Sequence, residues 1–527
     1  MANGGIFRRK SVAQIQSEHE HGELKRTLGA LNLTLLGIGC IIGTGIFVLT
    51  GTAAARFAGP GIMISFIITG TLCTFVALCY AELASVLPVS GSAYSYSYAS
   101  MGEVVAWIMG LLLVLEYGLA GSTVAVGWSG YLVSLLKDLG IVIPPELTAA
   151  PGVAVKDAAG NVVATGIVNL PALVAILAVT VLLVRGVTES TTVNNIVVAI
   201  KVTVVVAFIG IGAFYVNPDL WSPLIPPPEP APPLGTPMDP FSQIWRALVG
   251  VVTGNTEARF GVSGVIHAAA VIFFAYLGFE AVSTAGAESR NPARDMPIGI
   301  LASLAICTVL YILTSAVLVG IVPYKFLDNP APIALAVNQI GLPWFSFLVK
   351  IGALAGLSSV MLVLLYGQTR IFYTMSRDGL LPGVLARVHP KYQTPWVNTV
   401  LVGILACLAA GFMSLDKLAE LSNVGALTAF GMVCATVIYL RVAAPDLQRP
   451  FRVPLYPVVP ILGVVMCALL LLSLLTQTEH TRNFFRLYLA GGILVYFLFG
   501  MRSSKLGRGI LVTGHEAEPM ELPHKGD

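Results

Sequence analysis

Apolar residues run along this chain in blocks too long for a soluble core, separated by short polar segments that hold most of the charge. Blocks of roughly 17 to 25 residues or longer predict membrane-crossing helices. Twelve are read: 30–57, 62–87, 103–136, 168–185, 193–216, 262–286, 297–322, 343–375, 396–413, 418–440, 456–476 and 484–501. The first is unusual. LNLTLLGIGCIIGTGIFVLTGTAAARF, from Leu31 to Phe57, is apolar enough to cross a bilayer yet carries Gly43, Thr44 and Gly45 near its midpoint. Glycine costs a helix interior roughly 1 kcal/mol relative to alanine, so the triplet predicts an interruption. At membrane depth an interruption frees backbone N–H and C=O groups, which are tolerated only where they are buried in protein or line a polar cavity. Close helix packing is the other use of small residues in such a segment, and it is the reading for Gly37 and Gly39.

A second break is predicted in span six, IHAAAVIFFAYLGFEAVSTAGAE, where Gly278 sits near mid-depth and Glu280 follows it. Spans one and six each open a group of five, and because five is odd the two groups run with inverted topology. This repeat rests on hydropathy and break position, not on residue-level self-similarity. Paired glycine-interrupted spans in two halves point to a binding site in transporters. Half-helix N-termini offer donors and a positive dipole end, and half-helix C-termini offer carbonyls. Donors near Thr44 and Gly45 suit a carboxylate, while carbonyls near Ile41, Phe274, Ala275 and Leu277 suit an ammonium group, so the pair fits a zwitterion.

Composition agrees with a polytopic membrane protein. The 527 residues are 56% hydrophobic and 11% charged, against ~25% charged in soluble domains, and the mean hydropathy is +0.84. A net charge of +3 leaves no nucleic-acid footprint. The polar N-terminus MANGGIFRRKSVAQIQSEHEHGELKRT carries no cleavable leader pattern, so the first span is expected to direct insertion. Seven cysteines lie in apolar segments without metal-site spacing and read as small hydrophobes. No metal or cofactor is expected. Arg8, Arg9, Lys10, Lys25 and Arg26 place the N-terminus in the cytoplasm, and an even span count returns the C-terminus to the same side. The expected organisation is a cytoplasmic segment 1–28, a first repeat 29–216, a Pro-rich external loop 217–261, a second repeat 262–440, two further spans in 441–502, and a cytoplasmic tail 503–527. Tyr94, Tyr96 and Tyr98 read as an interfacial aromatic belt, with an inner gate as the alternative.

IGTGIF (42–47), FFAYLGFE (273–280), ESRNPARDMPIGI (288–300) and YGQTRIFYTMSRDGLLP (366–382) together resemble the cationic amino acid transporter family of the amino acid-polyamine-organocation superfamily. The likeness covers roughly residues 25–475. It implies an all-α LeuT-like transporter of amino acids with a five-plus-five inverted repeat, broken first and sixth helices and two extra C-terminal helices. The motif match implies substrate contacts at Ile41, Gly43, Thr44 and Gly45 in span one and at Phe274, Ala275 and Leu277 in span six. Two features depart from the pattern: animal members commonly have fourteen spans, and the Pro-rich loop is long.

Two charges lie deep in apolar spans. Lys201 is about 8 residues into span five, so ~12 Å deep at the rise of an α-helix, and an intramembrane ionisable residue is a functional candidate by default. The resemblance implies that Lys201 stands where sodium-coupled relatives hold a cation, with Ser358 and Ser359 of span eight as neighbours in proton coupling. A static lysine pinning helices is the alternative. Glu116, in GLLLVLEYGLAGS, reads as a gating residue, a second proton carrier or a buried structural carboxyl. Glu280 reads as a dipole-stabilising residue, His267 as structural, and Leu364 as a side-chain selectivity position. An enzyme is not expected, since no catalytic cluster such as HExxH is present. The leading expectation is proton-coupled amino acid import across the plasma membrane, with amino acid, protons and lipid as partners; a sensor or an exchanger without proton-driven uptake is the alternative.

Overall fold

The computed structural model describes residues 8–9, 27–87, 92–156, 162–186, 191–230, 258–477, 479–513 and 516–519. Helices occupy each of the apolar blocks. Among the described residues nine helices are long and apolar enough to cross a membrane, and Ala30–Ile41, Leu170–Val184 and Trp396–Phe412 are shorter apolar helices. The protein is therefore a multi-pass membrane protein.

The first block is interrupted where the sequence places weak helix formers. Helix α1 (Ala30–Ile41) stops at Ile42, whose ψ of 94° is extended. The helix resumes at Gly45 and runs on through 45–58 with π-helical turns at Gly45–Leu49 and Ala54–Ala58. Gly59, at φ +58°, and Pro60 then turn the chain into α2 (Ile62–Val86). The sixth block behaves alike: α3 (Gly261–Ile272) tightens into a 3-10 turn at Phe273–Tyr276 and breaks at Leu277 and Gly278, before a 3-10 stretch at Glu280–Glu288. Gly278 has φ +119°, a conformation that side chains bearing a β-carbon rarely adopt.

The unbroken blocks pack in pairs around these two. α2 lies against Pro292–Ile321, Glu103–Asp138 against Pro343–Arg377, and Leu170–Val184 against Trp396–Phe412. Leu170–Val184 starts on a local cap: the Asn169 side chain accepts from Ala172 N at 3.2 Å and from Ser129 Oγ at 2.6 Å, with Pro171 in the first turn. Leu415–Ala443 packs on Val458–Gln477, which precedes the last long helix, Glu479–Ser503. Outside the helices are antiparallel two-stranded pairs such as Ala154–Lys156 with Val162–Thr165.

The aromatic-belt reading of Tyr94, Tyr96 and Tyr98 does not hold. They lie on a helix, Ser92–Ser100, and are buried within the protein. Tyr94 donates to Asp378 Oδ2 at 2.8 Å and Tyr98 to Glu103 Oε2 at 3.0 Å. Burial, with the Asp378 carboxylate beside it, holds the Tyr94 phenol well above its usual range, so it stays a donor. On a helix the three tyrosines spread around more than one face, and all three are buried against the rest of the protein. Of the Pro-rich loop 217–261, residues 231–257 lie outside the described residues.

Candidate functional site

The two breaks meet. A β-carbon on Gly45 would overlap Cα and Cβ of Ala275 and lie 2.9 Å from Ala275 N, while one on Gly278 would lie 2.7 Å from the carbonyl carbon of Cys40. Backbone touches backbone at both contacts, which only glycine allows. Neighbouring spans close on the breaks. Gly127 leaves room for Thr44, since a β-carbon there would reach Thr44 Cγ2 at 2.6 Å, and a β-carbon on Gly43 would lie 3.4 Å from Val360 Cγ1. Leu364, one turn along from Val360 and buried, faces the stretch around Gly121. Thr44 Oγ1 is buried without a hydrogen-bond partner among the described residues.

The carbonyls at the end of α1 are already partly engaged. Tyr311 OH donates to Ile41 O at 2.7 Å. Lys201 Nζ, fully buried, donates to Gly39 O and, at 3.3 Å, to Ile42 O. A carbonyl has two lone pairs, so Ile41 retains one for a ligand. Phe274 O likewise accepts from Leu277 N at 3.2 Å. In α3, Asn423 Nδ2 bridges Ala270 O and Val271 O at 2.9 Å each, satisfying carbonyls just before the break. On the far side of the first break, Tyr131 OH donates to Phe47 O at 2.8 Å.

Lys201 and the span-eight serines are placed differently from one another. The lysine stem lies against Gly356, with a β-carbon there 3.2 Å from Lys201 Cδ. Ser358 turns toward span three: its Oγ donates to Leu354 O at 2.8 Å and accepts from Trp128 Nε1 at 3.0 Å. Ser359, the next residue along, is buried.

Glu116 sits in a π-helical turn, Val114–Leu119, a distortion frequent at functional sites. It lies beside Glu280, whose Oε2 accepts from Gly278 N at 2.9 Å and so caps the second break. Both oxygens of Glu116, Oε1 of Glu280, the hydroxyls of Tyr80 and Tyr117 and the whole Gln368 amide are buried without a hydrogen bond among the described residues. Native interiors leave few such groups; the two carboxylates lie together at the second break, and Gln368 lies by Gly118 of span three. His267 packs edge-on against Phe57, with ring centroids 4.6 Å apart. Gly37 abuts Ser303 and Gly39 abuts Asn194 and Val198, which is the packing use of glycine.

Tyr311, Tyr131, Asn423 and Gln368 were not singled out from the sequence. The available signal was a lone polar side chain in an apolar span, as in CTVLYILT around Tyr311. Which break each one serves depends on contacts between distant spans.

Comparison with known proteins decides the family. Residues 28–499 match the model of the amino acid permeases. This chain belongs to the amino acid permease family. The permease is 45% identical to the branched-chain amino acid permease BcaP of Bacillus subtilis, over 96% of this chain and 100% of that one. It is 44% identical to the methylthioribose transporter of the same organism, over 95% and 99%. Cationic amino acid transporter 4, vacuolar, of Arabidopsis thaliana is 36% identical over 84% of this chain and 68% of its own length. These relatives are transporters, not enzymes, and the resemblance read from IGTGIF and FFAYLGFE lies within the matched region.

Proposed function

We propose that this permease imports amino acids across the cell membrane, coupled to protons, by alternating access to a site between the two broken spans. The observation that carries the reading is Lys201, a buried cation whose ammonium group bonds to Gly39 O and Ile42 O, the carbonyls that the first break exposes. Protonated, it ties span five to the end of α1. Deprotonated, it loses donor capacity and charge, so the contact loosens and the proton and substrate sites become linked. Ser359 and Glu116 take supporting roles, in lysine solvation and in gating or a second proton step.

Backbone donors of residues 43–46, at the start of the second half of span one, receive the α-carboxylate by helix-end geometry and dipole. The remaining lone pairs of Ile41, Phe274, Ala275 and Leu277 receive the α-ammonium. Apolar Val360 beside the break, with Leu364 one turn along the same span, favours a neutral substrate side chain over a cationic one. Pairwise packing of spans two with seven, three with eight and four with nine supports a five-plus-five repeat of LeuT type within twelve spans. Positive residues such as Arg290 and Arg387 support termini on the cytoplasmic side.

The test is radiolabelled uptake into proteoliposomes with each amino acid as competitor, under an imposed pH or sodium gradient, comparing wild type with Lys201→Met. The expected outcome is pH-driven accumulation by wild type, with Lys201→Met retaining binding or exchange but losing accumulation. Accumulation by Lys201→Met in response to the pH gradient would pass the coupling role to Glu116. Binding without any flux in wild type would make the protein a sensor.

A further inference from the structure

The last long helix, Glu479–Ser503, and the residues after it do more than complete the bundle: the hydrogen bonds they make converge on one buried carboxylate. Glu103, at the start of span three, is almost fully buried. Its Oε1 accepts from Tyr496 OH at 3.0 Å, and its Oε2 accepts from Tyr98 OH at 3.0 Å and from Ser504 Oγ at 2.5 Å. Its backbone N–H donates to Arg8 O at 2.9 Å. Three hydroxyls from three segments thus close on one side chain: the terminal helix, the segment after it, and the helix Ser92–Ser100.

The tail makes a second attachment to the loop that follows span eight. Ser503 Oγ donates to Gly379 O at 2.6 Å and Lys505 N to Asp378 O at 3.0 Å, while Asp378 also receives Tyr94 OH. Gly507 N donates to Ser504 Oγ at 3.0 Å, fixing the hydroxyl that reaches Glu103. The helix Ser92–Ser100 is therefore held through two of its three tyrosines, Tyr94 and Tyr98. Its first residue reaches span six: Ser92 Oγ and Ser283 Oγ are 2.6 Å apart, and Ser283 lies in the 3-10 stretch that continues span six beyond Gly278 and Glu280. A continuous set of contacts runs from the tail to the half of span six that follows the break.

We propose that residues 496–507 form a clasp that holds the helix Ser92–Ser100 shut against span six, and so set how readily the site opens to the cytoplasm. The proposal rests on the transport reading for its direction, but its physical content is a set of hydrogen bonds at one end of the bundle. Charge-assisted hydrogen bonds to a carboxylate are stronger than neutral ones, and a buried carboxylate left short of donors is costly. Removing one donor therefore biases the clasp toward release without touching the substrate contacts.

Cys40, buried at the junction of the two breaks, reports the opening. Maleimide labelling is measured from the cytoplasmic face in inverted vesicles, with Cys40→Ser subtracting the other cysteines. Tyr496→Phe and Ser504→Ala each delete one hydroxyl, and a chain ended at Arg502 removes the second attachment as well. Each hydroxyl deletion is expected to raise the Cys40 labelling rate roughly three- to tenfold, the range set by one buried hydrogen bond, and the truncation to raise it further. The three changes differ in severity, so failure of one to fold leaves the others to decide. Unchanged or slower labelling in the folded variants overturns the clasp. Labelling needs no transported substrate, so a failure of amino acid uptake would count against the transport reading and not against this one.

Discussion

At the scale of single residues, the permease uses glycine where backbones must touch and side-chain donors where backbone is left bare. Gly45 is the sharpest case, because a β-carbon there has no space against Ala275. Gly45→Val is expected to destabilise the fold by ~1–3 kcal/mol, as other overpacked cores do. It should abolish binding of every amino acid alike, since the lost element is common to all α-carboxylates. Equilibrium binding with chemically different amino acids checks this, and full-affinity binding of any of them would reduce Gly45 to a packing residue. Tyr311 and Lys201 answer the opposite need: they satisfy carbonyls that the break at Ile42 releases.

Between elements, two ionic clusters look alike on paper and differ in consequence. Arg56 joins the end of span one to Asp328 at 2.9 Å and to Asp416 at 2.6 Å, yet its side chain is 36% exposed and that of Asp416 40%. Glu82 on α2 takes both Arg441, at 2.6 Å, and Arg449, at 3.3 Å, and also accepts from Val453 N at 2.7 Å, with its side chain only 3% exposed. Asp416→Asn is expected to cost about 0–1 kcal/mol and to matter less as salt rises, because solvent screens the pair. Glu82→Gln removes the buried negative charge that Arg441 and Arg449 share and is expected to cost ~3–5 kcal/mol at any salt. Thermal unfolding in detergent at low and high salt separates them; equal losses would mean that the two ends are equally buried in the working protein.

For the whole molecule, orientation is the property to test, since the positive-residue argument predicts it without reference to packing. Pro228 and Arg387 are both exposed and lie in loops that the argument puts on opposite sides. Pro228→Cys should react with an impermeant thiol reagent on intact cells, and Arg387→Cys should react only after permeabilisation. The reverse pattern would invert the bundle and turn the proposed importer's inner clasp into an outer one.

Sequence by itself determined that the chain is built of apolar helices able to sit in a membrane, because a run of apolar side chains needs no partner to prefer lipid. It also placed both breaks, since Gly43-Thr44-Gly45 and Gly278 weaken a helix locally whatever packs on them. Helix ends were less legible: Pro292–Ile321 begins before the apolar run and Leu415–Ala443 outlasts it, because polar terminal turns are helical for reasons of capping and packing. Tertiary structure alone decided which carbonyl Lys201 holds, that Ser358 turns to Trp128, that the three tyrosines are buried, and that Glu116 meets Glu280 beside the breaks. Each of these depends on the rotation of one span about its axis relative to another far away in the chain. Hydropathy carries no information on that angle once a helix is apolar on every side.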